Sequence, residues 1–228
     1  MPIDWEFIIS KGVLQQIAAG LWLTVIMSIS CCVGALLFGA LGALLQLSTS
    51  KWLRSIGQSY VTIFRNIPLL VVLFFFYFGV PTLAQPRQLP ILYSGSYETN
   101  IAILVISLVS GAYMAEVIRA GIEAVPGGQI EAALASGINK RQTFQHIIVP
   151  QLAPIILPGM ASEVINVTKS TAFSMAIGVK ELTSQGQQIE SATFKGFEAM
   201  TAVTLTYLVL NGAIFAIMTA LERSFGKK

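Results

Sequence analysis

Residues Glu131–Pro150, EAALASGINKRQTFQHIIVP, are the most polar long stretch of a very apolar chain, and they lie between two hydrophobic runs. The stretch opens with Glu131, Ala132, Ala133, Leu134 and Ala135, residues that favour a helix. Gly137 then permits a left-handed turn or a close approach by another backbone. A basic piece follows (Lys140, Arg141), and Pro150 suits the first turn of the next helix. A short helix, a glycine break and a second helix at a membrane surface describe a docking knob.

Composition sets the frame around it. The chain has 228 residues, 54% hydrophobic and 11% charged, with a mean hydropathy of +0.73. Soluble domains carry about 25% charged residues, so the expected class is an all-α integral membrane protein, with residues 1–228 as a single transmembrane domain. A net charge of +3, spread along the chain, gives no reason to expect nucleic acid. Cys31 and Cys32 are adjacent, a spacing that rarely bridges, and no Cys/His pattern suggests a metal. The start, MPIDWEF, puts Asp4 and Glu6 before any positive charge, unlike a secretory signal.

Five stretches are apolar enough to cross a bilayer, which takes about 17–25 residues. They are expected at about 20–47, 60–80, 100–121, 150–167 and 200–221, with the polar loop at about 123–149. In the first, Ala35, Gly39 and Ala43 recur at i, i+4, i+8, a spacing that lets helices approach closely in lipid. Gly79 and Pro81 read as the stop of the second, and 85–98 as a loop. Pro150, Pro154 and Pro158 stack on one face of the fourth and predict a kink. Residues 170–178 read as a short gate helix. With the N-terminus outside, nine Lys and Arg fall inside and five outside, which favours N-out, C-in and a cytoplasmic loop.

Nothing in the chain reads as catalytic. His146 has no neighbouring nucleophile, and there is no GxxxxGK[ST] loop for ATP, so neither a cofactor nor a nucleotide is expected on this chain. Ionisable groups inside spans are costly and mark function. Glu116 and Arg119 sit three apart, close enough to pair. Arg65, beside Asn66 and Pro68, stands near the inner end of the second span. Glu163, Asn166 and Ser170 share a helical face at i, i+3, i+7, next to Lys169 and Thr171. Such a stripe suits a water-filled cavity in which Asn, Ser and Thr bond an amino acid's charged ends and Lys169 answers an acidic side chain.

The spacing E-A-A, three residues, G, nine residues, I-x-V-P resembles the EAA loop of ABC importer permeases. FRNIPLLVVLFFFYFGVP, AEVIRAGIEAVPGGQIEAALASG and NVTKSTAFSMAIGVKELTSQGQQIE resemble the polar-amino-acid branch of that family, most nearly its glutamate/aspartate type. The resemblance implies a type I importer permease in the cell (inner) membrane. It also implies two cytoplasmic ATPase subunits, a second permease subunit (the same or a sibling chain) and an extracytoplasmic amino-acid-binding protein. ATPase contact is carried over to Glu131, Ala132, Ala133 and Gly137. Family patterns tend to have Asn at Ser170 or Thr171 and often Gln at Val72. The other reading is an ion-coupled secondary amino-acid transporter, for which the spans offer little beyond Glu163.

Overall fold

Backbone polar groups in lipid must be satisfied within a segment, which leaves helices as the economical way across. Accordingly, the computed structural model, which describes residues 5–83 and 95–225, has helices and no strand among the described residues. In chain order they are α1 (Trp5–Ile8), α2 (Lys11–Gln46), α3 (Lys51–Asn66), α4 (Leu69–Leu83), α5 (Tyr97–Glu123), α6 (Gly127–Ala135) and α7 (Lys140–Thr143). A π turn (Phe144–Ile148) leads into α8 (Val149–Ser170) and a 3-10 turn (Thr171–Ile177), followed by α9 (Leu182–Thr193) and α10 (Gly196–Phe225). Among the described residues four spans are long and apolar enough to cross a membrane: α2, α5, the run Lys140–Ile177 built around α8, and α10; the bent pair α3–α4 makes a fifth if it is counted as one span. Arg87, Lys227 and Lys228, and residues 85–94 of the expected loop, lie outside the described residues.

α2 and α5 form the central pair. Lipid tails are as apolar as the helices, so close packing has to hold them together. Small residues supply it: Ala35, Gly39 and Ala43 are buried, and a Cβ at Gly39 would lie 2.7 Å from the Met114 Cβ. On the other side, a Cβ on Gly111 would press on Phe38 and on the Tyr60 hydroxyl. The expected small-residue stripe is thus the seam of the bundle. Met27, Leu73, Ile101, Ala102 and Val105 fill the space between α2, α4 and α5.

The second span differs from the sequence reading. It is expected as one helix over 60–80, but α3 and α4 meet at 105°. Pro68 is the cause. It disfavours helical dihedrals at the residue before it, and Ile67 is extended at φ −100°, ψ 131°. Pro68 also has no N–H to give to the last turn of α3. The expected stop at Gly79 and Pro81 differs too, since α4 runs on to Leu83. Pro81 cannot donate to the Tyr77 carbonyl, and the Tyr97 hydroxyl does so instead at 2.9 Å.

α8 carries Pro154 and Pro158 inside one helix and is preceded by a π turn where the Val149 N–H reaches back to the Phe144 carbonyl. Gly178, left-handed at φ 91°, ends the 3-10 turn over the residues read as a gate helix. The chain then returns through α9, whose N-cap is the fully buried Glu181. That carboxylate accepts from the N–H groups of Thr183 and Ser184 at 2.9 and 2.8 Å and from the Tyr207 hydroxyl at 2.9 Å. Burial pushes its pKa up, and these donors oppose the shift. The Leu182 N–H donates to Thr24 Oγ1 at 3.1 Å, so α9 is fastened to both α2 and α10.

Candidate functional site

A cleft of ≈ 680 Å³ opens where the α3–α4 break faces α5 and the end of α8. The break brings Arg65 and Asn66 to its rim, and the stripe at the end of α8 supplies Glu163, Asn166, Lys169 and Ser170. These residues, read separately along the sequence, therefore meet in one place. Asn166 Nδ2 donates to Glu163 Oε1 at 3.5 Å, and Lys169 is exposed with no ion pair among the described residues. Arg65 and Lys169 bring two cations to the cleft lining and Glu163 one carboxylate, and Arg65 also lies 3.7 Å from Glu116. Thr171 stands behind the wall: it is fully buried, and its hydroxyl donates to the Thr168 carbonyl at 2.8 Å.

Sequence reasoning missed Tyr113 and Ser110, which also line the cleft. The signal existed, because Ser110, Tyr113 and Glu116 recur every third residue of an apolar span and so run along one side of the helix.

A second, more polar cavity of ≈ 600 Å³ adjoins the first and shares Arg65, Asn66 and Tyr113 with it. Glu116 and Arg119 line it and pair as expected, with Arg119 Nη2 and Nε donating to the two Glu116 oxygens at 2.9 and 3.2 Å. Arg119 also reaches Glu123 at 2.7 Å.

The loop at the far end of α8 is rigidified by its own backbone. The Ile138 N–H donates to the Ala133 carbonyl and the Gly137 N–H to the Leu134 carbonyl, both at 3.1 Å. Those two bonds define a Schellman ending, and Gly137 takes the left-handed conformation it requires, φ 84°. Asn139 and Gln142 then form a capping box at 2.9 and 3.2 Å, which starts α7 at once. Glu131, Ala132 and Gly137 are exposed, whereas Ala133 is buried and anchors α6. Gln151 Nε2 donates to Gln129 Oε1 at 2.7 Å, tying α6 to α8. At 1.5 Å per residue α8 is about 33 Å long, so one helix carries the loop at one end and the cleft at the other.

Residues 35–227 match the family described as "binding-protein-dependent transport system inner membrane component". The chain belongs to that family: it is a multi-pass inner-membrane permease component of an ABC importer, a part of a transporter and not an enzyme. It is 30% identical to the glutamate/aspartate import permease protein GltJ of Escherichia coli, over 98% of this chain and 96% of the relative. It is 33% identical to the probable amino-acid permease protein YxeN of Bacillus subtilis, over 99% and 97%. The solved structure of an amino acid ABC transporter with histidines superposes with a TM-score of 0.85 at 28% identity, covering 98% of this chain and all of that one. Inward-facing MetNI methionine ABC transporter shares the fold at a TM-score of 0.79.

Proposed function

We propose that the chain is the permease subunit of an ATP-driven importer for acidic amino acids, and that the cleft is where the substrate passes. The observation that carries this is the cleft's charge pattern. Arg65 and Lys169 line the cleft together with one carboxylate, Glu163, a set that matches two carboxylates and one ammonium on the substrate. Charge-assisted hydrogen bonds of this kind are about twice as strong as neutral ones. Kinship with a glutamate/aspartate permease supports the same class, and Asn66, Asn166 and Ser170 are at hand to orient the ligand.

In this reading Glu131, Ala132, Ala133 and Gly137 form the surface against a separate cytoplasmic ATPase, two copies of which serve two permease subunits, with a binding protein delivering substrate at the opposite face. α6 is closed at its C-terminal end by the Schellman turn, and movement of the ATPase is transmitted through Gln129–Gln151 into α8 as a whole. Tilting of α8 moves Glu163–Ser170 relative to Arg65 and alternates access, a two-state change biased by nucleotide and substrate.

Uptake of labelled glutamate, glutamine and arginine by cells carrying the complete transporter tests the substrate class. Glutamate uptake is expected in the wild type, with at least a ten-fold fall in Lys169→Ala; wild-type glutamate uptake in that variant would overturn the assignment of the cleft.

A further inference from the structure

We propose that Arg65 is a gate between the cleft and the second cavity, held across the passage by Tyr113 and Glu116, and that a substrate carboxylate opens it by taking Glu116's place. The inference rests on the cleft being the substrate site and adds to it a way out toward the loop end of the bundle.

The two cavities share Arg65, Asn66 and Tyr113, so these three side chains are the partition between them. Three separate contacts hold it. The Tyr113 hydroxyl donates to the Arg65 carbonyl at 3.3 Å, one of the last α3 carbonyls left over by the break at Pro68. The Arg65 guanidinium lies 5.2 Å from the centroid of the Tyr113 ring, within the range of a cation–π contact. Arg65 Nη1 is 3.7 Å from Glu116 Oε2. All three join the final turn of α3 to α5 and to nothing else, so separation of those two helices releases them together.

The strengths are graded in the direction a gate needs. Glu116 is held by two short bonds to Arg119 and by one long contact to Arg65. Removing Arg65 leaves the Glu116 carboxylate still paired, so no buried charge is stranded. Arg65 itself is 41% exposed at its side chain and sits at the rim of both cavities, free to exchange one carboxylate for another. The carboxylate that competes is one of those on an amino acid in the cleft. Every amino acid offers its α-carboxylate; glutamate and aspartate offer a second.

Equilibrium binding of labelled glutamate and glutamine to the purified permease–ATPase complex tests this without the binding protein, with uptake measured in parallel. Arg65→Gln is expected to weaken glutamate binding at least ten-fold. Glu116→Gln, which frees Arg65, is expected to tighten it about three-fold while uptake slows, because release is hindered. The double variant should bind like Arg65→Gln alone, since contacting residues are non-additive when one acts through the other. Loss of glutamine binding equal to that of glutamate in Arg65→Gln assigns the α-carboxylate; a loss confined to glutamate assigns the side chain. A purely structural Glu116 would slow uptake with binding unchanged, and that result overturns the gate. If the wild-type complex binds neither amino acid, the cleft fails as the substrate site and the gate with it; if it binds them and Arg65→Gln binds equally well, the gate alone fails.

Discussion

The two ends of α8 are built by opposite means. The loop end, Gly127–Thr143, is assembled from neighbours in sequence: a Schellman ending at Gly137 and a capping box at Asn139. The cleft end is assembled from residues as far apart as Arg65 and Ser170. A locally closed unit keeps its shape when pushed, whereas a site formed between helices changes whenever they move. A transporter needs one of each, a stiff knob and a deformable cleft joined by a continuous helix.

Variants at one end should therefore leave the other intact. Gly137→Asp places a charge on the exposed face of the knob, where a Cβ meets nothing of this chain within 4 Å. Transport is expected to fall to background, while the permease chain itself still inserts and keeps its cleft; uptake of labelled glutamate against surface expression checks it. Gly137→Asn, which also tolerates the left-handed conformation, is expected to keep more than half of the activity. At the cleft end, Glu163→Ala should reduce substrate-stimulated ATPase at least five-fold with ATPase association unchanged, read by activity of the purified complex.

Glu181→Ala tests whether α9 is a fixed wall. It removes an N-cap worth about 0.5–2 kcal/mol and one hydrogen bond of the Tyr207 hydroxyl, about 1 kcal/mol, leaving that hydroxyl its contact with Thr183 Oγ1 at 3.3 Å. At about 2–4 °C per kcal/mol for a chain of this size, a drop of roughly 3–12 °C in thermal unfolding of the detergent-solubilised protein is expected. The smallest effect is at Asn139→Ala, where loss of the capping box is expected to cost about 1 kcal/mol and roughly 2–4 °C by the same measurement.

What could be read in advance follows the same division. The all-helical class, the loop and its glycine turn are local or compositional properties, and they were legible. The stripe Glu163, Asn166, Ser170 was legible as a face because helical spacing is fixed, though its partner Arg65 had to be found separately. The 105° break at Ile67–Pro68 was not, because FRNIPLLVVLFFFYFGVP is apolar enough to pass as one span. Pro81 shows why a proline alone does not settle such a case: α4 continues through it because Tyr97, sixteen residues later, satisfies the Tyr77 carbonyl. Tyr113's place in the partition likewise depends on a contact forty-eight residues away. The capping box at Asn139 and Gln142 could have been found, since N-x-x-Q fits the pattern.

The most direct measurement is purification of the chain in mild detergent with its partners, with ATPase activity assayed and the bound proteins identified by mass spectrometry. The account predicts that an ATPase co-purifies with the wild type and with Gly137→Asn, and is lost with Gly137→Asp. A chain that purifies alone and still carries amino acid into liposomes without ATP would contradict it.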